Sequence, residues 1–479
     1  MSAETRRFGT ILVTAFIALL LIILIASSDL RRIGDGSGYL AMTEQLARWR
    51  APSLTNRDLR EEQARQRHIG SGYQGVRLAR RLLSAGGRQD FDHFWMYSLL
   101  AVPFYDLTRL LGIHPGWSFV AVNLLLYLLA VALSARRIHW AALLLLFVGP
   151  GIWWIDKAHT EAFTFSLLAI AFVLARRQPW WSLVALGLAA TQNPPIVFAI
   201  PLVAGVAILG DRSLIRRRAF LIGGAAAVGI AALHPLYYQL RLGVLTPTSA
   251  SGVTHYQLPD ARIVFGWIID PNIGLLIGFP LLIPTVLVVL VAMLLRAPRA
   301  LTPWTWAVAP AIAGFFLVAF SQTVNVNSAA TPLLARYSVW LIPLAIPLFV
   351  DATALPTRTF TMLIGPLAVT SAVWMVMIYA PNRPEDTFIT PTFVARWLWE
   401  QHPGIDNPPA ELFFERTAHY EGPPVSIATA SCSKVLIIDG MWPKQCGPKP
   451  LFPGWCARTG DHCFANRTGS GFEFVPTPT

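Results

Sequence analysis

The chain has 479 residues, of which 54% are hydrophobic and only 13% charged, against about 25% charged in an average soluble domain. That balance excludes an ordinary soluble enzyme. The formal net charge of +12 reads as arginines in cytoplasmic loops of a membrane protein. With no soluble basic domain to carry it, it does not point to nucleic acid.

Apolar blocks of spanning length recur through residues 9–380, which predicts an all-α polytopic membrane protein. Residues 9–27 read as an uncleaved signal-anchor. Arg6 and Arg7 precede them and place the N-terminus in the cytoplasm. Residues 28–93 form a long polar outer loop, and loops of more than about 60 residues translocate despite their arginines. Within it Tyr39, Met42, Leu46 and Trp49 recur at near-helical spacing and predict an interfacial helix. Residues 94–112 read as a second one. If they spanned the membrane, the Arg136-Arg137 and Arg176-Arg177 pairs and the arginines at 212–218 would all lie outside.

Ten further spans are predicted near 116–135, 139–155, 160–175, 180–192, 195–210, 219–240, 273–295, 302–321, 336–350 and 359–380, about eleven in all. The odd count puts residues 381–479 outside. All four cysteines, Cys432, Cys446, Cys456 and Cys463, lie in that tail, as two disulfides of an oxidising compartment would. Three pairings are open, and a zinc site is the alternative, though no C-x-x-C pair is present. Residues 425–428 and 435–438 suggest strands. Asn466-Arg467-Thr468 fits a glycosylation sequon.

Ionisable residues at a membrane edge are costly unless paired or used. Asp35 follows the first span in a glycine-rich stretch and is either a helix cap or a working carboxylate. Asp156, Lys157, His159 and Glu161 crowd one short outer turn. Gln192 and Asn193 precede Pro194-Pro195, where amides suit sugar hydroxyls or freed backbone groups. The loop 241–270 carries Arg241, His255, Tyr256, Asp260, Arg262 and Asp270, a mix that suits a substrate cover. Residues 325–332 lead to Arg336 and Tyr337, and an arginine at that depth is a phosphate clamp or a snorkelling anchor. No phosphate loop, dinucleotide fingerprint or metalloprotease motif is present.

This pattern resembles the GT-C-type membrane glycosyltransferases, the broad class of protein O-mannosyltransferases and aminoarabinose transferases. The likeness is carried by the first span with its long outer loop, Asp35 near Tyr39, and the second acidic cluster at Asp156 to Glu161. The pieces at Asp35 to Leu46, at Asp156 to Phe165, at Gln192 to Pro195 and at Asn325 to Tyr337 look like an uncharacterised bacterial group of this type. Two features depart from it. Gly36 and Ser37 follow Asp35 where better-known members carry an acidic or aromatic residue. Phe91-Asp92-His93-Phe94-Trp95 stands where a His-Pro-Pro element is common.

The resemblance covers residues 1–380 and implies an inverting sugar transfer in the bacterial inner membrane, from a polyprenyl-phosphate donor to an extracytoplasmic glycan, lipid or protein. Asp35 would be the general base, with Asp156 and Glu161 as further catalytic acids. Tyr39, Lys157, His159, Gln192, Asn193, His255, Arg336 and Tyr337 would contact substrate. A divalent ion, Mg or Mn, is a possible cofactor on the acids. The rival readings are a lipid or solute transporter or flippase, and a non-catalytic assembly protein whose tail is the working part. The polar groups cluster at the outer lip without a visible internal repeat, which favours the enzyme.

Overall fold

A computed structural model describes residues 3–28, 30, 35–69, 87–251, 261–322, 331–381, 389–420, 423–458, 460–469 and 471–477. The chain divides into two compact units. The first holds residues 1–254, 281–316 and 339–383. The second holds residues 255–280, 317–338 and 384–479. The composition shift near 380 therefore falls close to the start of the second unit's last segment. That unit also takes in two earlier stretches, 255–280 and 317–338, which join expected outer loops to the ends of the spans expected at 273–295, 302–321 and 336–350.

The first unit opens with α1 (Ala3–Ala26), an apolar rod, followed by α2 (Gly36–Ala47). A two-residue antiparallel pair, β1 (Ser53–Leu54) with β2 (Gln89–Asp90), brackets the polar helix α3 (Asn56–Ile69). Next come α4 (Met96–Leu111), α5 (Trp117–Ala135), α6 (Trp140–Phe147) and α7 (Thr160–Leu174). They are followed by α8 (Pro179–Gln192), α9 (Ala199–Gly210) and α10 (Arg218–Leu242). Among the described residues five helices are long and apolar enough to cross a membrane: Phe8–Ala26, Trp117–Ala135, Arg218–Leu242, Arg336–Ala354 and Thr357–Tyr379. Four more apolar helices have 10–17 residues.

The expected segment 139–155 illustrates why the helices are shorter than the hydropathy blocks. Gly149 and Pro150 end α6 at Phe147, and a 3-10 turn, Pro150–Trp154, finishes the run. Residues 94–112 do form the helix expected, and Gly112 closes it at φ 66°. Its buried face is Met96, Tyr97, Ala101, Tyr105 and Thr108, and Leu107, Leu110 and Leu111 are exposed. The first expected interfacial helix is α2, which ends before Trp49. It is buried on more than one side, with Glu44 and Gln45 covered as well as Tyr39 and Met42.

Glycine sets the closest approach. A Cβ on Gly187 of α8 would sit 2.7 Å from the Ala227 carbonyl oxygen of α10, and one on Gly223 would sit 2.6 Å from Trp180 Cβ. Both are inside contact distance, so α8 and α10 pack backbone to backbone only because these side chains are absent.

In the second unit the tail is an antiparallel sheet ordered β3 (Ile427–Ala428), β4 (Lys434–Ile438), β5 (His462–Thr468), β6 (Gly471–Pro476). The register pairs Leu436 with Phe464 and Ala465 with Phe474. One face packs Leu436, Ile438 and Phe464 against Trp399, Phe413 and Phe414 of the helices Phe393–Gln401 and Ala410–Ala418. The other packs Val435 and Ile437 with Cys456, Cys463, Phe472 and Phe474. The disulfides are Cys432–Cys446 and Cys456–Cys463. This decides among the three pairings and leaves the zinc alternative without ligands. Of the strands expected at 425–428 and 435–438, the first is present only over Ile427–Ala428 and the second over Lys434–Ile438. The sequon is in β5, where Asn466 is fully buried and holds Lys434 Nζ at 2.7 Å, so it is a core residue and not a glycan acceptor.

Candidate functional site

The site grows from the entry to α2. Asp35 takes the N-cap position at φ −80° and ψ 0°, and its carbonyl accepts the Gly38 and Tyr39 amides at 2.9 and 3.2 Å. Its side chain makes no cap bond. The carboxylate turns instead toward two imidazoles. Its Oδ2 lies 3.0 Å from His93 Nε2 and 3.2 Å from His159 Nε2.

His93 comes from the segment between β2 and α4. Tyr39, one turn into α2, stacks on its ring at 5.0 Å and 22°. Tyr97 meets Tyr39 edge-on at 5.2 Å, and Ser98 Oγ donates to the Tyr39 carbonyl at 3.0 Å, which ties α2 to α4. Upstream, Asp90 is fully buried and accepts from Tyr237 Oη at 2.8 Å and Arg241 Nε at 2.7 Å. Downstream, Gln192 Nε2 donates to the Phe94 carbonyl at 3.1 Å. The peptide that carries His93 is thus pinned at both ends by α8 and α10.

His159 is the N-cap of α7, and its Nδ1 contacts the Glu161 carboxylate. Each of its ring nitrogens therefore faces one carboxylate, and Nδ1 also accepts the Thr160 amide at 3.1 Å. The turn before it is buried. Lys157 is 1% exposed and lies 2.7 Å from Asp156 Oδ1 and 3.9 Å above the Trp153 ring. Ser28 at the end of the first span donates to the other Asp156 oxygen. Asn123 of α5 donates to the Lys157 carbonyl at 2.9 Å and accepts from Tyr97 at 3.0 Å. The turn that hydropathy places in water is a packed polar knot.

The electrostatics split two neighbouring acids. Burial works to raise the Asp35 carboxyl, but His93 and then His159 outweigh it and hold it well below the usual carboxylate range. Burial pushes Asp92 up; His93, 3.5 Å away, opposes this and the Asp35 charge adds to it. Asp35 is 31% exposed at the side chain and His93 25%, so both reach solvent.

No family model and no curated protein matches the chain. Among solved structures it is similar to the crystal structure of ArnT from Cupriavidus metallidurans in the apo state. The identity is 16%, over 87% of this chain and 72% of that one, with a TM-score of 0.44. That degree of likeness assigns no role to any residue here.

Of the residues singled out by sequence, Asp35, Tyr39 and His159 meet directly, with Glu161 behind His159 and the Asp156–Lys157 pair in the same turn. Gln192 Nε2 donates to the Phe94 carbonyl, and Asn193 Nδ2 donates to Thr164 Oγ1 at 2.6 Å. His255, Tyr256, Asp260 and the asparagines at 325 and 327 lie outside the described residues. Arg336 and Tyr337 belong to the second unit, where Arg336 Nη2 donates to Tyr337 Oη at 2.7 Å and the guanidinium lies 4.7 Å from that ring.

Sequence reasoning missed His93, Asp92 and Asn123. The first two stand in the Phe91–Trp95 stretch that departs from the family pattern, and the Asp-His dipeptide was the signal available there. The divalent-ion reading asks Asp35, Asp156 and Glu161 to share one ion. Asp35 Oδ2 lies against His93 and His159, Asp156 against Lys157 and Ser28, and Glu161 Oε2 against His159. Among the described residues no group of three or more His, Cys, Asp or Glu is placed to hold a metal.

Proposed function

We propose that the first unit carries out sugar transfer from a polyprenyl-phosphate donor to the hydroxyl of an extracytoplasmic acceptor, with Asp35 as general base. On this reading the chain is a multi-pass protein of a bacterial inner membrane, with a cytoplasmic N-terminus and an extracytoplasmic tail. The observation that carries it is the pairing of Asp35 Oδ2 with both His93 and His159 at the mouth of an apolar helical bundle. A carboxylate capping a helix does not need two imidazoles. Acids pushed apart, as Asp35 and Asp92 are, mark acid–base chemistry.

In the step itself the acceptor oxygen attacks the anomeric carbon as its proton passes to Asp35. The bond from that carbon to the phosphate oxygen breaks, and the electron pair leaves with the lipid phosphate. An in-line displacement of this kind inverts the anomeric centre. Asp35 is ionised at neutral pH and so always ready, although a low proton affinity reduces the driving force of the transfer. The Asp35 carboxyl is partly exposed, so the proton it takes can pass on to solvent. Glu161 and Tyr39 orient the two imidazoles. No step is routed through a metal.

The test is Asp35→Asn in purified protein, assayed with a polyprenyl-phosphate sugar. The amide keeps the shape and removes the base. The rate should fall about 10²- to 10⁴-fold with an unchanged melting profile. A wild-type rate in the variant removes Asp35 from the mechanism.

A further inference from the structure

The second unit holds a cavity of about 330 Å³, at the small end of the roughly 300–1,000 Å³ typical of small-molecule sites. Arg396 and Arg416 line it from the two helices that cover the sheet, with Trp399, Glu400, Thr417 and His419. The balance of charge is positive, two guanidiniums against one carboxylate, and the Glu400 carboxylate already accepts the Ser431 hydroxyl.

Two features of the wall suit it to an anionic, hydroxylated ligand. Arg416 is 2% exposed, and burial lowers its guanidinium to about 10 even with Glu415 and Asp270 favouring the charge. A guanidinium at a cavity wall can add an entering anion to the acids already near it, through short charge-assisted hydrogen bonds. Thr417 Oγ1 is buried and has no hydrogen-bond partner among the described residues. A buried hydroxyl left unsatisfied is unfavourable, and a ligand oxygen in the cavity satisfies it.

We propose that this cavity binds a small acidic saccharide unit, its carboxylate or phosphate held by Arg396 and Arg416 and its ring hydroxyls met by Thr417 and Glu400. A bare oxyanion uses the guanidiniums and leaves the Thr417 hydroxyl unmet. A neutral sugar does the reverse. Only a hydroxylated ring that also carries an oxyanion engages both sets. Such binding requires nothing of Asp35, so it stands or falls apart from the transfer reaction.

The experiment is calorimetric titration of the full chain in nanodiscs with glucuronate, glucose 6-phosphate, glucose and inorganic phosphate. At least one acidic sugar should bind, and the stronger of the two identifies the oxyanion. Glucose and inorganic phosphate should bind about tenfold or more weakly than it. Arg396 is exposed, so Arg396→Gln should fold normally and weaken the acidic sugar about tenfold. Thr417→Val should weaken it several-fold without lowering the melting temperature. Four results overturn the proposal: neither acidic sugar binds, glucose binds equally well, inorganic phosphate binds equally well, or Arg396→Gln binds as wild type.

Discussion

The Tyr39 ring lies 5.0 Å from the ring of His93 and nearly parallel to it, one helical turn after Asp35. That stack makes the Asp35–His93 contact a property of α2 as much as of the segment before α4. Tyr39→Leu should let the imidazole swing away and lower kcat by about tenfold or more with little change in KM. Tyr39→Phe keeps the ring and should lose less. Steady-state kinetics on both variants decides it, and equal losses argue against orientation through the stack.

The pH profile offers a second check. Asp35 is held down by His93 first and His159 next, against burial that pushes it up. Removing one imidazole in His93→Gln leaves burial in place, so the carboxyl should titrate at higher pH. The acidic limb of kcat/KM should move to higher pH in the variant. A limb that stays where it is in wild type shows that Asp35 does not set it.

Burial, and after it the neighbouring Asp406, raises Asp270 from 3.8 to about 7. The folded state then holds a proton that the unfolded state has lost. Its stabilising effect is complete below about pH 4 and disappears as pH rises through about 7, worth on the order of a few kcal/mol. Asp270→Asn keeps an acceptor for the Asn272 and Ile273 amides and should abolish that slope. Thermal melts of the second unit's signal from pH 4 to 8 measure it; equal slopes in both proteins rule out Asp270 as its source.

Gly187→Ala should be more damaging than an exposed helical Gly→Ala change, which usually helps. The new methyl meets the Ala227 backbone at 2.7–2.8 Å, and α8 and α10 must separate. We expect a loss of about 1–3 kcal/mol, read as a lower melting temperature.

Lys434 is fully buried with the Pro403 carbonyl, Asn407 and Asn466 as acceptors at 2.6–2.8 Å. Asn466→Ala removes one acceptor and should cost about 1.5–3 kcal/mol. Expression in a glycosylating host should add no glycan at Asn466, which intact-mass measurement reports directly.

Much of the helical order was legible because apolar runs broken by Gly, Pro and Arg mark where helices begin and stop, as at Gly112, Pro179 and Arg218. The shortened α6 was not, since hydropathy cannot see that Gly149-Pro150 converts an apolar run into a 3-10 turn. Of the site, Asp35 and His159 were legible because charge beside a membrane span is expensive. His93 was not, because a lone histidine in a polar loop costs nothing by sequence and acquires meaning only when Tyr39 is found against it. Strands β5 and β6 escaped notice because the inward alternation of Phe472 and Phe474 is only two residues long.

Both disulfides close short loops, 14 and 7 residues apart in sequence, within one 32-residue stretch at the end of the chain. Each bridge can form from local encounters as soon as that stretch reaches an oxidising compartment, without waiting for the helices. On the proposed topology, every finished molecule carries a chemical record of its tail's delivery to the oxidising side. A thiol-trapping gel shift on whole cells reads that record without purification, and separates correctly threaded chains from those stranded on the reducing side.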